Sequence, residues 1–303
     1  MPDAFLFPGQ GSQQAGMGAE LLEDPEIAAL ADRCSDAAAI DLRRLLTDAD
    51  DDELRLTTNA QPALLFVGVA LARLLADQGV RPAAAAGHSV GEYTALCVAG
   101  ALTPEDAVRL VVERGRAMAA AAPPGTTSMA AVIGLAPEAV ETALVDETDV
   151  WPANYNTPSQ TVVGGTIAGL ERAGPRLRDA GARRVLPLNV AAAFHTPLME
   201  PAGASLRGAL DAADWREPGI PVVANYTAEP YRDAVGIPEV LERQLSGTVR
   251  WADCVRRLRE LGCDRFVEVG PKRALTGMMR ELAPDAVAEA VSGPQAARAL
   301  QPT

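Results

Sequence analysis

The side chains able to do covalent chemistry converge on one stretch, Gly87-His88-Ser89-Val90-Gly91. An alanine-rich apolar run precedes it and Glu92-Tyr93-Thr94-Ala95-Leu96 follows, so it reads as strand, sharp turn, helix. Glycines on both sides of a serine at such a turn form the G-x-S-x-G nucleophile elbow, which lifts a hydroxyl clear of a sheet. A glycine-rich turn with a chance serine writes the same five letters, so the partners of Ser89 must decide. A serine near neutral pH needs a proton acceptor within hydrogen-bond reach, usually a histidine. The chain holds two histidines, and His88 adjoins Ser89, where a tight elbow makes neighbouring side chains diverge. That leaves His195, in a loop after a strand, where catalytic groups often sit on a rigid scaffold. The third member of a triad is not evident. Acids between Ser89 and His195 fall mostly on helices or on an inserted unit, so a backbone carbonyl could orient the histidine instead. Two histidines without a ligand-spaced cluster argue against a metal site.

The elements that must position this pair alternate between strand and helix. Phe5-Leu6-Phe7 is a short strand stopped by Pro8, followed by the polar turn Gly9-Gln10-Gly11-Ser12-Gln13, with Gly16-Met17-Gly18 opening a helix through Leu22. Without a lysine after it, this turn is a poor phosphate cradle and a better pocket wall. Residues 25–46 read as helical, and residues 62–77 as an apolar helix that belongs against a sheet. Thr103-Pro104-Glu105-Asp106 starts a helix with a threonine cap, proline at its first position and acids in its first turn. Arg114 lies at the edge of that helix's apolar stripe, Val108, Val111, Val112 and Met118. It can lay its stem on the core and aim its guanidinium into a cleft, or remain a surface arginine.

Pro123-Pro124-Gly125-Thr126-Thr127 punctuates the chain, and residues 126–190 then read βαββαβ, a split ferredoxin-like unit. Strand–helix alternation resumes with strands at 220–225 and 266–269. The fold expected is α/β: a larger α/β-hydrolase-like domain of residues 1–125 and 191–303 with a mainly parallel sheet, carrying the inserted subdomain 126–190. At 303 residues the chain can bury a sizeable core. No uncharged apolar run is long enough for a membrane span, and no signal peptide is visible. The net charge of −13 argues against nucleic acid and anionic membrane as partners. Four scattered cysteines without a C-x-x-C pair read as reduced thiols of a cytoplasmic protein.

Taken in order, several stretches resemble the malonyl-CoA:acyl carrier protein transacylase family over nearly the whole chain. They are Phe7-Pro8-Gly9-Gln10-Gly11-Ser12-Gln13, Gln61-Pro62-Ala63-Leu64, the elbow through Tyr93, Glu113-Arg114-Gly115, Ala193-Phe194-His195 and Glu268-Val269-Gly270-Pro271. The resemblance implies that Ser89 is the nucleophile, His195 the base, and the backbone amides of Gln10 and Val90 the oxyanion hole. It implies that Gln61 lines the pocket and that Arg114 holds a malonyl carboxylate by a two-point contact. It places the histidine-orienting carbonyl at Arg250, and it links Phe194 to malonyl over branched acyl groups. Where many members have a further glycine after Gly270-Pro271, this chain has Lys272, which puts basic charge near the expected pocket rim. The activity implied is transfer of malonyl from malonyl-CoA to the phosphopantetheine thiol of an acyl carrier protein of fatty-acid or polyketide synthesis, by a monomer needing no cofactor or metal. Alternatives with the same elbow are an editing hydrolase, a transferase for another acyl group, and a carrier-protein docking module without activity.

Overall fold

The structure, a computed structural model, describes residues 2–121, 123 and 125–302. Among them nine strands form two sheets: β1 (Asp3–Phe7), β2 (Ala84–Gly87), β3 (Thr127–Ile133), β4 (Val150–Thr157), β5 (Gln160–Thr166), β6 (Arg184–Pro187), β7 (Val222–Val223), β8 (Arg265–Val269) and β9 (Val287–Val291). The larger sheet runs β7-β2-β1-β8-β9, with every pairing parallel. Its centre, β1, is buried at all five positions, as a strand covered on both faces must be. Side chains alternate across it. Phe5 and Phe7 join the core under helices Thr57–Asp77 and Pro104–Ala121, while Ala4 and Leu6 join a second core with Trp251, Val255, Leu258 and Phe266.

Several helices differ from their sequence-based bounds. The apolar helix begins at Thr57 and takes Pro62 into its interior. Proline there forfeits one ladder bond, which burial along almost the whole helix outweighs. That early start puts Gln61 on a rigid element. By length and composition this helix could cross a bilayer, but most of it is buried within the protein. Residues 25–46 form two helices, because Ala39 turns left-handed (φ 52°) after Pro25–Ala38 and Asp41 caps a new start at Leu42. Gly16–Gly18 open turns that lead only to a short 3-10 segment, Leu21–Glu23. The strand expected at 220–225 pairs only at Val222–Val223, on the sheet's edge.

The second sheet is antiparallel in the order β4-β5-β3-β6. With helices Pro137–Ala143 and Ile167–Asp179 it makes a βαββαβ unit, the ferredoxin-like arrangement. It has its own core around Val132, Val140, Val163 and Leu177. It is tied to the larger unit by backbone bonds between β4 and Val249, Tyr155 N–H to Val249 O at 2.9 Å and Val249 N–H to Ala153 O at 2.9 Å. Of the break expected at 123–127, Pro124 lies outside the described residues.

Candidate active site

The elbow closes where β2 meets helix Gly91–Val98. A Cβ on Gly87 would collide with the Gly91 backbone, and one on Gly91 with the Phe7 carbonyl, so only glycine fits at either position. Ser89 between them is forced to φ 54°, and His195 sits at φ 58°. Left-handed backbone at a residue other than glycine costs about 1–3 kcal/mol and persists where the surroundings over-determine it. Here it aims two side chains at each other: Ser89 Oγ and His195 Nε2 are 2.7 Å apart. His195 Nδ1 lies 2.8 Å from the main-chain oxygen of Gln244. Donation by Nδ1–H to that carbonyl leaves Nε2 as the acceptor facing the serine. Burial, followed by the Arg114 charge, drives the His195 imidazolium down to about 3, so the ring is neutral and ready to accept a proton. His88 turns the other way, with Nε2 3.0 Å from Asn156 Oδ1.

The orienting carbonyl is therefore that of Gln244, not that of Arg250. Arg250 O is taken by Cys254 N–H at 2.9 Å in the first turn of helix Trp251–Glu260. The Arg250 side chain turns to Asp253 and the Thr227 carbonyl. Gln244 lies in the last turn of helix Ile237–Ser246, where carbonyls lack intrahelical partners.

Arg114 is 1 % exposed and stands over the Tyr93 ring at 5.5 Å. Its Nη1 donates to Gln61 Oε1 at 2.7 Å, and its Nη2 to Gln244 Oε1 at 2.9 Å and to Ser89 Oγ at 3.1 Å. Gln61 is itself held by Thr57, Nε2 to Oγ1 at 2.7 Å. The guanidinium thus touches the nucleophile, while its buried Nε–H has no protein acceptor. Gln10 and Val90 line the same cavity, and among the described residues neither backbone amide donates to a protein acceptor. A serine, a neutral histidine on its far side, two free amides and a cation beside the nucleophile are the parts of an acyl-transfer site.

The chain matches the acyl transferase domain family over residues 4–298. It belongs to the acyl transferase family. A malonyl CoA-acyl carrier protein transacylase of Bacillus subtilis is 40 % identical over 297 residues, covering 96 % of this chain and 94 % of the relative. An acyl carrier protein S-malonyltransferase of Vibrio cholerae superposes with a TM-score of 0.93 at 38 % identity, covering 97 % of each chain. A malonyl-transacylase solved in complex with its type II polyketide acyl-carrier protein gives a TM-score of 0.94 at 37 % identity, covering 98 % of each chain.

The acyltransferase's cavity, about 260 Å³, lies between the two sheets. The larger unit supplies the Gly9–Gln13 turn, Gln61, Ser89, Arg114, Phe194 and His195, and the smaller one Met129, Asn154, Asn156 and Val162. Lys272 is not among the lining residues; it and Arg273 precede helix Ala274–Leu282, whose Ala274, Leu275 and Met278 are. Beyond Gln244, the sequence reading missed Asn225, whose Oδ1 accepts from Ser89 N at 2.7 Å and whose Nδ2 donates to Gly87 O at 2.7 Å. No residue-type pattern marks it; its place just after the edge strand β7 was the available signal.

Proposed function

We propose that this acyltransferase moves malonyl from malonyl-CoA to the phosphopantetheine thiol of an acyl carrier protein through a malonyl-serine ester. The observation that carries the reading is a buried guanidinium with an unpartnered N–H, hydrogen-bonded to the nucleophile itself. A carboxylate a few bonds from a thioester carbonyl reaches such a cation while the carbonyl sits over Ser89. In the first half-reaction Ser89 Oγ bonds to the thioester carbon and its proton passes to His195 Nε2. The amides of Gln10 and Val90 hold the oxyanion, each such donor contributing about 3–4 kcal/mol in comparable sites. The C–S bond then breaks and the CoA sulfur leaves with the proton from His195. In the second half-reaction the carrier's thiol gives its proton to His195 and its sulfur bonds to the ester carbon; the ester C–O bond then breaks, and Ser89 Oγ leaves with the proton from His195. The scheme draws on these side chains and the partner's phosphopantetheine, with no further cofactor or metal. Each chain carries a complete set of these groups, which suits a monomer, and the four buried free thiols suit the cytoplasm.

The test is intact mass after mixing with malonyl-, methylmalonyl- and acetyl-CoA in competition. A malonyl adduct that discharges onto a holo carrier protein is expected. Rapid CoA release without an adduct points instead to hydrolysis. Phe194, almost fully buried beside His195, restricts the space around the acyl α-carbon. Phe194→Ala is expected to raise methylmalonyl loading relative to malonyl by about tenfold, since one methyl is worth about 1–3 kcal/mol of discrimination.

The carrier's approach is argued from charge. Many arginines here are ion-paired, as Arg259 and Arg265 are. Among the described residues several cations have no acidic partner, and of these Lys272, Arg273 and Arg280 lie on or beside one helix, Ala274–Leu282. Arg273 and Arg280 flank a groove on helix Ala274–Leu282, beside the face that lines the catalytic cavity. In a chain of net charge −13, such a patch suits an acidic partner surface. Reversing both charges, Arg273→Glu with Arg280→Glu, is expected to raise KM for the carrier about tenfold and steepen loss at high salt. Loading from malonyl-CoA should keep its rate; a loss there would assign these cations to the CoA phosphates.

A further inference from the structure

Glu92, the second residue of the helix that follows the elbow, is 0 % exposed. A carboxyl group so deeply buried must have its oxygens satisfied. Its Oε1 accepts from the Tyr231 hydroxyl, and its Oε2 accepts from Asn225 N at 3.0 Å and Gln244 Nε2 at 2.7 Å. Every neighbour offers it a proton, which is the environment of an ionised carboxylate. Two of those donors lead directly to the reacting groups. Gln244 accepts from His195 through its main-chain oxygen, accepts from Arg114 through Oε1, and donates from Nε2 to Ser89 O at 3.0 Å. Asn225 grips the elbow at Ser89 N and Gly87 O. Glu92 also decides which way the Gln244 amide points, because a flipped amide would turn its NH₂ toward the guanidinium and its oxygen toward the carboxylate. Among the described residues Arg114 forms no ion pair of its own, and Glu92 is the buried acid whose charge acts on it, one carboxamide away.

We propose that Glu92 is a positioning residue for acyl transfer: its buried carboxylate locks Gln244 and Asn225, and through them sets the His195 ring, the Ser89 backbone and the charged edge of Arg114. The inference rests on the acyl-transfer reading of Ser89 and His195, and deepens it.

The proposal has a consequence in pH. Burial pushes the Glu92 carboxyl up to about 7, against the pull of Tyr231, Gln244, Asn225 and Arg114. The other ionisable groups facing this cluster keep one charge state between pH 5 and 8. Tyr93, Tyr231 and Cys254 are held neutral by burial, and His195 is already neutral above about 3. Arg114, though lowered by burial, stays a guanidinium. Below pH 7 the Glu92 carboxyl therefore gains a proton that it must donate into a ring of donors, and the Gln244 amide loses its anchor. Acylation of Ser89 acquires an acid limb near pH 7 that belongs to Glu92 and not to the base.

The experiment measures Ser89 acylation from pH 5 to 9 by quench and intact mass, with malonyl-CoA and separately with a fluorophosphonate. The fluorophosphonate needs Ser89 and His195 but no carboxylate clamp. Wild type is expected to lose rate below about pH 7 with both reagents. Glu92→Gln should be at least about tenfold slower at pH 8 and show no limb near 7. Tyr231→Phe removes one donor to the carboxylate and should move the limb upward by about one pH unit. A Glu92→Gln enzyme with wild-type rate, or with the limb unchanged, overturns the proposal. Should that variant not fold, a Tyr231→Phe profile superposable on wild type overturns it equally. Failure with malonyl-CoA alone, alongside a normal fluorophosphonate limb, would count against the malonyl substrate and leave the role of Glu92 supported.

Discussion

Replacing Ser89 with alanine is expected to remove every trace of malonyl adduct and to lower carrier malonylation by about 10⁴-fold or more. The expectation follows from how the site is built. Ser89 Oγ is 2.7 Å from His195 Nε2 and also accepts from Arg114, while the two open amides lie beside it in the same cavity. The other hydroxyl among the described residues lining that space, Ser12, has no histidine bonded to it, since His195 faces Ser89 and His88 faces Asn156. The four cysteines are buried elsewhere, with Cys97 and Cys254 held as thiols by burial and Cys34 pushed up to about 12. Groups that act as one unit lose their effect together. His195→Ala and the double variant should therefore fall to nearly the same residual rate as Ser89→Ala. Intact mass after a short incubation with malonyl-CoA checks the adduct, and gel-shift of the carrier checks transfer. A Ser89→Ala enzyme that still carries malonyl would place the nucleophile elsewhere. Folding should survive, because removing one hydroxyl leaves the Ser89 amide bonded to Asn225 and its carbonyl to Gln244.

The elbow was legible because sterics leave no choice. Gly87 and Gly91 back against other backbone too closely for any side chain, so the residue types announce the turn. The strand–helix alternation and the βαββαβ unit were legible for a similar reason, being written in periodicity and in turn residues. Arg114 was visible only as a residue on the edge of a stripe. Its burial depends on Gln61 and Gln244, from two other helices, meeting it. The carbonyl that orients His195 was misplaced at Arg250 because a backbone oxygen has no residue type. What marks Gln244 is geometric, the frayed hydrogen bonding of a helix's last turn. Glu92 and Asn225 went unassigned for a related reason. A polar residue inside an apolar stretch says that a partner exists, and only the fold says which. Pro62 shows the reverse error, since a local breaker was read as a helix start where tertiary packing carries the helix through it.

Arg114→Ala is expected to turn an enzyme that loads malonyl into a slow one that prefers neutral acyl groups. The guanidinium is buried, unpaired with any carboxylate in direct contact, and fixed by two glutamine oxygens. A malonyl carboxylate arriving there gains a charge-assisted, two-point contact while losing its water. Without the cation the same carboxylate is buried beside Ser89 with Glu92 nearby, and removing one partner of such a pair costs about 3–5 kcal/mol. At 1.36 kcal/mol per tenfold, kcat/KM for malonyl-CoA should fall by about 10²·² to 10³·⁷. Acetyl-CoA has no carboxylate to lose, so at alkaline pH, where Glu92 is ionised, its loading should hold or rise, and the malonyl-to-acetyl ratio reads the clamp directly. Arg114→Lys separates charge from geometry. A point charge cannot reproduce the fork, so lysine should recover only part of the malonyl rate. The alanine variant also leaves Glu92 without its cation. The Glu92 carboxyl should then rise further above about 7, since the Arg114 charge is among the influences lowering it. A carboxyl raised above its unfolded value makes the fold lose stability as pH climbs from the unfolded value toward the folded one, so Arg114→Ala should be relatively weaker at pH 8 than at pH 5. Equal losses of malonyl and acetyl loading would mean that Arg114 only supports the fold of the site, and the carboxylate clamp would have to be sought elsewhere in the cavity.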